Sequence, residues 1–276
     1  MLEPSIVRDE DVENLIKDVY ELYGYDFSLY SRASFKRRVN RICLIDRFTS
    51  FAELRYTIIS DPEYLKRFIE EITVNVTEMF RDPEFFKTLR EKVLPQLGTY
   101  PLIRIWVAGC STGEEAYSMA ILLKEANLYH KALIYGTDIN PSVLETARAG
   151  IFSMQQMKVY SENYMLSGGK RDFSDYYTAN YDNVKFDKSL KEKLILSTHN
   201  LVSDSSFNSF QLIICRNVLI YFDKPLQERV FKLFDASLEN LGYLALGSKE
   251  TLRFSNLDKS YYQVEDQKIW KKIEHH

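Results

Sequence analysis

The run Ile103-Arg104-Ile105-Trp106-Val107-Ala108 leads directly into Gly109-Cys110-Ser111-Thr112-Gly113-Glu114-Glu115. A β-branched strand that stops in a glycine turn and opens into a helix, here to about Ala126, gathers backbone N–H groups and a helix N-terminus at one spot, which suits a polar ligand. About twenty-five residues on, Ala132-Leu133-Ile134-Tyr135-Gly136 reads as a second apolar strand and ends in Thr137-Asp138. An acid at the tip of the next strand is how α/β sheets hold a ribose diol. Together the two strands call for a nucleoside-containing cofactor.

The turn narrows the choice. A pyrophosphate cradle needs G-x-G-x-x-G, and a P-loop needs Lys-Ser/Thr after its second glycine. Here the glycines are four apart, and Glu114 and Glu115 follow where a phosphate would be repelled. Those acids favour a ligand with positive charge or hydroxyls. S-adenosylmethionine, with a ribose, an amine and a sulfonium, fits. The alternative is a purely structural turn whose acids complement the helix macrodipole.

Composition sets the frame. The 276 residues, 45% hydrophobic and 27% charged, suffice for one large or two smaller globular domains. A net charge of −3 gives no reason to expect bulk nucleic-acid binding. Cys43, Cys110 and Cys215 cannot all pair and match no zinc spacing, so a reduced compartment, no metal and a cytoplasmic location are expected. No apolar run approaches a membrane span and the acidic start is no signal peptide, so no membrane insertion is expected.

Residues 1–75 read as helices: Val12, Leu15, Ile16, Val19, Leu22 and Tyr23 form one apolar stripe, Phe35, Val39, Ile42 and Cys43 a second, and Asp61-Pro62 begins a helix running to about Ile72. From 76 onward, after a helix near 83–97, strands alternate with helices: strands near 103–108, 132–138, 194–199, 210–215 and 242–247, helices near 114–126, 141–149 and 225–240, and a closing hairpin at 261–264 and 268–273. Apolar strands with helices between them predict an open, mostly parallel α/β sheet, with ligands beyond its carboxyl ends. The polar, aromatic stretch of about 160–187 is too long for a connection and reads as an inserted β subdomain turning at Gly168-Gly169.

Several motifs converge. Ile72-Thr73-Val74-Asn75-Val76-Thr77-Glu78-Met79-Phe80-Arg81, then A-G-C-S-T-G-E-E-A-Y-S from Ala108 to Ser118, Thr137-Asp138-Ile139, Asn200-Leu201, and Cys215-Arg216-Asn217-Val218-Leu219-Ile220-Tyr221-Phe222-Asp223 occur in one order along the chain. This series resembles the chemotaxis-receptor glutamate O-methyltransferases, the CheR family, over nearly the whole length. Departures are Met79-Phe80 for two aromatics, Ala116 for a proline, Asn240-Leu241-Gly242 for Pro-Gly-Gly and Gly247-Ser248-Lys249-Glu250 for G-H-S-E. The resemblance implies an all-α, receptor-docking N-terminal domain and a Rossmann-like class I S-adenosylmethionine-dependent methyltransferase domain with the insertion.

The resemblance also implies the site. Asn75, Thr77 and Arg81 reach over the cofactor, with Arg81 gripping a carboxylate of the cofactor or of the incoming glutamate. Ala108, Gly109 and Ile139 line it, Glu115 takes the α-amino group, Asp138 the ribose, and Asn200 and Leu201 the adenine. Arg216 and Asn217 open the loop that faces the methyl, and Tyr221 joins Arg81 as a catalytic candidate. His199, Cys110 and Cys215 read as packing residues. Arg32, Lys36, Arg37, Arg38 and Arg41 form a basic face expected to dock acidic receptor helices, and a solvated helix face is its plain alternative. The insert is expected to take a receptor's C-terminal peptide in some members of the family. The product would be S-adenosylhomocysteine, the acting species a monomer. A methyltransferase for another acceptor, or a cofactor-sensing adaptor without turnover, are the competing readings.

Overall fold

The computed structural model describes residues 7–73 and 77–273. Contacts divide the chain into two compact units, residues 1–75 with 220–229 and residues 76–219 with 230–276.

The first unit holds α1 (Asp9–Tyr23), α2 (Arg32–Ile45), α3 (Phe51–Ser60) and α4 (Pro62–Ile72). Their ends are chemically marked. Asp9, Glu10 and Asp11 complement the start of α1, and Gly24, at φ 76°, closes it. Asp61 accepts from the N–H groups of Glu63 and Tyr64 to cap α4, whose first residue is Pro62. The apolar stripes of α1 and α2 meet Leu65, Phe68 and Ile69 of α4 in one core, except for Leu22, which lies off that face and is exposed. Residues 220–229 join this unit through an antiparallel bridge between Tyr30 and Phe222. The Ser31 N–H donates to the Tyr221 carbonyl at 2.9 Å, and the Asp223 N–H to the Leu29 carbonyl at 3.1 Å.

The second unit opens with α5 (Pro83–Thr88) and α6 (Leu94–Leu97), joined through a π-turn over Leu89–Val93. The wider turn precedes Pro95, which has no N–H to give and crowds the preceding carbonyls of a regular helix. Then follow β1 (Ile103–Ala108), α7 (Glu114–Glu125), β2 (Ala132–Asp138), α8 (Pro141–Ala149), β3 (Ile151–Ser153), α9 (Met157–Leu166), β4 (Tyr177–Asn180), β5 (Asn183–Phe186), β6 (Leu194–Thr198), β7 (Phe210–Cys215), α10 (Lys224–Ser237, counted with the first unit as far as Arg229), β8 (Leu238–Leu246), β9 (Tyr261–Gln263) and β10 (Ile269–Lys272). The main sheet runs β6-β2-β1-β7-β8-β10-β9. Its first five strands are parallel, and β10 pairs antiparallel with both β8 and β9. Strand β7 is buried at every residue, as a parallel strand covered on both faces must be. The order reverses between β1 and β7, which places the switch point beside the glycine turn.

Two details differ from the sequence reading. Helix α10 ends at Ser237 and passes without a loop into β8, which begins at Leu238 rather than 242. Leu238 pairs with Phe210, and the register shifts before Leu212 meets Tyr243. The small antiparallel sheet β3-β5-β4 begins at Ile151, and the stretch read as a β subdomain contains α9. Gly168, at φ 80°, and Gly169 end that helix, giving their N–H groups to Met165 and Tyr164. The hairpin turn between β4 and β5 is Tyr181-Asp182, with Tyr181 at φ 51°. A three-residue strand carries too little alternation to be read, and glycines that close a helix look like glycines that turn a hairpin.

Candidate active site

The turn after β1 depends on its glycines. Gly109 (φ 72°) faces the Val218 side chain so closely that a Cβ would collide with it, and a Cβ on Gly113 (φ 98°) would lie 2.9 Å from that of Ala147. The N–H groups of Gly109 and Cys110 both donate to the Thr137 carbonyl, at 2.8 and 2.9 Å, tying the turn to the end of β2. Asp138 completes the joint. Its Oδ2 accepts from the Ser111 N–H at 2.9 Å and its Oδ1 from the Asn140 N–H at 3.0 Å. Each oxygen retains acceptor capacity for a ligand hydroxyl. Burial pushes the Asp138 pKa up, and the N–H groups of Asn140, Ser111 and Ile139 pull against it.

The two acids at the start of α7 face different surroundings. Glu114 is buried, accepts from the Thr112 hydroxyl at 2.6 Å and from the Tyr160 hydroxyl at 3.3 Å, and burial pushes its pKa up to about 7. Glu115 accepts from Arg216 at 2.8 Å. Arg216 gives a second N–H to Asp82 at 2.5 Å, and its guanidinium lies 4.1 Å from the Phe85 ring centroid. It is buried, and its Nε has no hydrogen-bond partner among the described residues. One guanidinium between two carboxylates leaves a single net negative charge, a setting that favours a cationic group such as an amine.

The segment entering this unit supplies Thr77 and Arg81, both half-buried, whereas Asn75 lies outside the described residues. Arg81 stands between Phe80 (φ 52°) and Asp82 (φ 57°). Non-glycine residues in the left-handed region cost about 1 kcal/mol or more each, so surrounding contacts must hold them. Phe80 gives its N–H to Ser118 Oγ at 3.0 Å and packs its ring on Phe86 and Tyr164.

Beyond β6, Asn200 Oδ1 accepts from the Val202 N–H at 2.9 Å and the Asn200 N–H donates to Asp204 at 2.8 Å, folding the loop on itself. Leu201 is buried. His199 meets Trp106 edge-on at 5.2 Å, and its Nε2 lies 3.2 Å from the Ser205 carbonyl. Ala108 is fully buried and Ile139 half-buried beside Asp138. Burial raises the pKa of the Cys110 and Cys215 thiols well above the ordinary value. After β7, Asn217 (φ 62°) donates its N–H to Glu250 Oε2 at 3.0 Å, and the Gly247 N–H reaches the same oxygen at 2.6 Å. No role was expected of Glu250. The available hint was an acid just past the tip of a buried strand.

The basic residues of α2 divide. Arg32 is bound to Glu13 and to the carbonyls of Phe27, Tyr30 and Ser28, and Lys36 to Asp9 at 2.7 Å. Arg38 donates to the Glu71 carbonyl at 3.1 Å and lies 5.4 Å from the Tyr221 ring centroid, with burial lowering its pKa. Arg37 and Arg41 are exposed, Arg41 with Glu71 at 4.0 Å. Arg32 and Arg38 are therefore internal fastenings of the helical unit. Tyr221 belongs to that unit, held at its ring by Arg38 and at its carbonyl by Ser31.

A seven-stranded sheet with one antiparallel strand near its edge, a glycine turn after the inner strand β1 and an acid at the tip of β2 define a class I S-adenosylmethionine-dependent methyltransferase domain. Residues 10–73 match the CheR methyltransferase all-alpha domain, and residues 75–269 the CheR methyltransferase SAM binding domain. A Pseudomonas putida protein named Cher3 is 46% identical over 265 residues, covering 96% of this chain and 97% of that protein. The chemotaxis protein methyltransferase of Borreliella burgdorferi is 32% identical, covering 90% of each chain, and that of Listeria monocytogenes 31%, covering 83% and 85%. The chain belongs to the CheR methyltransferase family, and its cofactor is S-adenosylmethionine. The donor set fits that cofactor: hydroxyl-accepting Asp138, the net-negative Glu115–Arg216–Asp82 group, and glycines where side chains would obstruct the turn. No helix among the described residues is long and apolar enough to cross a membrane.

Proposed function

We propose that this chain methylates glutamate side-chain carboxylates of chemoreceptor cytoplasmic helices, forming glutamyl methyl esters. The observation that carries this reading is the Glu115–Arg216–Asp82 group beside Asp138, in a chain whose relatives bear the name chemotaxis protein methyltransferase. Bound S-adenosylmethionine supplies a methyl activated by its sulfonium. That methyl would pass to a receptor glutamate oxygen, with the electron pair of the broken carbon–sulfur bond leaving on sulfur. Glutamate is already ionised near neutral pH, with an ordinary pKa of about 4.3, so no general base is required. The protein's task is alignment and exclusion of water.

In this reading Glu115 holds the cofactor amine and Asp138 the ribose diol. Asn200 and Leu201 hold the adenine, and Ala108, Gly109, Ile139 and Asn217 form the walls. Thr77 and Arg81, with Asn75, come from the entering segment, and Arg81 grips a carboxylate with two N–H groups. Tyr221 is the second catalytic candidate, directing its hydroxyl to the substrate carboxylate or the sulfonium. Arg37 and Arg41, the outward cations of α2, meet the acidic receptor helix, with Lys36 alongside. The exposed edge of β4 suits a receptor's C-terminal peptide by strand addition. The enzyme works as a monomer in the cytoplasm.

Incubation with methyl-labelled S-adenosylmethionine and a panel of receptor cytoplasmic domains tests the proposal. Label that enters a receptor and leaves as methanol under mild alkali supports it. Tight cofactor binding with no label in any receptor moves the activity to another acceptor.

A further inference from the structure

Helix α9 turns one face onto two parts of the site. Tyr160, Asn163 and Tyr164 stand at i, i+3 and i+4, which places them side by side. The Tyr160 hydroxyl donates to Glu114 in the glycine turn at 3.3 Å. Asn163 Nδ2 donates to the Met79 carbonyl at 3.1 Å. The Tyr164 ring meets Phe80 edge-on at 5.2 Å. Val159, Met165 and Leu166, on the same helix, are exposed.

The segment this face touches is one that would not keep its shape alone. Met79 and Phe80 are fully buried, and Phe80 and Asp82 both sit in the left-handed region with no glycine between them. Ser118 fixes the Phe80 N–H, and Asn163 fixes the carbonyl one residue earlier. Between these anchors and Arg216, which holds Asp82, lies Arg81.

We propose that α9 is a positioning element for methyl transfer, and that Asn163 is its positioning residue, setting the place of Arg81 through the Met79 carbonyl. The insert is then part of the transfer apparatus as well as a surface for partners. The inference rests on Arg81 contacting cofactor or substrate, as proposed above.

The test is a double-mutant cycle in the full chain, Asn163→Leu with Arg81→Ala, read as S-adenosylhomocysteine affinity and as kcat/KM for a receptor cytoplasmic domain. Asn163→Leu keeps the volume and removes the donor. It should lower kcat/KM or affinity about tenfold, the scale of one hydrogen bond with its partner left unmet. That loss should fall to about twofold when Arg81→Ala is already present, because the two residues act as one. Asn163→Asp, which sets an acceptor against the carbonyl, should behave likewise and serves if the leucine variant fails to fold. Independent, multiplying penalties would reduce Asn163 to a stabilising residue and overturn the inference. An Arg81→Ala enzyme indistinguishable from the parent would remove the Arg81 reading, and this inference with it.

Discussion

Arg216 reaches back across the sheet to Glu115, its N–H meeting the carboxylate at 2.8 Å, while the same guanidinium serves Asp82 and rests on Phe85. Only a planar fork can do all three, since an ammonium is a point charge with no face to stack. Arg216→Lys should therefore lower S-adenosylmethionine affinity about tenfold despite keeping the charge, and Arg216→Ala should lower it further by leaving two carboxylates facing each other. Calorimetric titration with S-adenosylhomocysteine reads both.

Asp138 accepts a backbone N–H at each oxygen. In Asp138→Asn one of those N–H groups would face an amide NH₂ instead. Cofactor affinity should fall at least about tenfold and the unfolding midpoint should drop, by about 1–3 kcal/mol for a buried donor left unmet. Urea unfolding with and without S-adenosylhomocysteine separates the two effects. A variant as stable as the parent would contradict the double acceptance.

Glu114 makes stability depend on pH in a defined direction. Its pKa rises on folding from 4.5 to about 7 through burial, so the folded state binds the extra proton between those values. The stability this group contributes is fully present below about pH 4.5 and is lost as pH rises through about 7. The difference amounts to about 3 kcal/mol at the usual conversion. Glu114→Gln, which cannot titrate, should therefore gain on the parent by that amount between pH 4.5 and pH 8. Denaturant unfolding of both proteins at the two pH values checks the sign as well as the size.

Glu250 holds the N–H groups of Asn217 and Gly247 on one oxygen. Replacing it with alanine strands two donors, which should cost about 2 kcal/mol of stability and release the left-handed Asn217. Methyl transfer should fall more than cofactor affinity does, because the loop that moves is the one after β7. Equal losses in both would assign Glu250 to the cofactor site alone.

What the sequence disclosed was the chemistry of near neighbours. The glycine turn, the acid closing β2 and the proline and aspartate opening α4 act within a few residues, so spacing alone exposes them. Partnerships across the fold stayed hidden. Arg216 and Asp82 are 134 residues apart, Asn163 and Met79 84 apart, and neither pair leaves a periodic trace. The basic face of α2 shows the complementary failure. A count of charges cannot tell Arg32, bound to carbonyls of its own loop, from Arg37, which faces solvent. The aromatic stretch was legible in part: β4 and β5 form the expected antiparallel pair, whereas Tyr160 and Tyr164 have helical spacing and the glycines that close α9 looked like the hairpin turn.

The strand order has a bearing on how the protein comes into being. Strand β1 is flanked by β2, which follows it soon in the chain, and by β7, whose first residue is Phe210. During synthesis the glycine turn emerges more than a hundred residues before Arg216, and Glu250 emerges later still. Over that interval a nascent chain carries half a cofactor site, with the edge of β1 open. Pairings so distant in sequence form slowly, so the cofactor can be gripped only after Arg216 has left the ribosome and β7 has paired with β1.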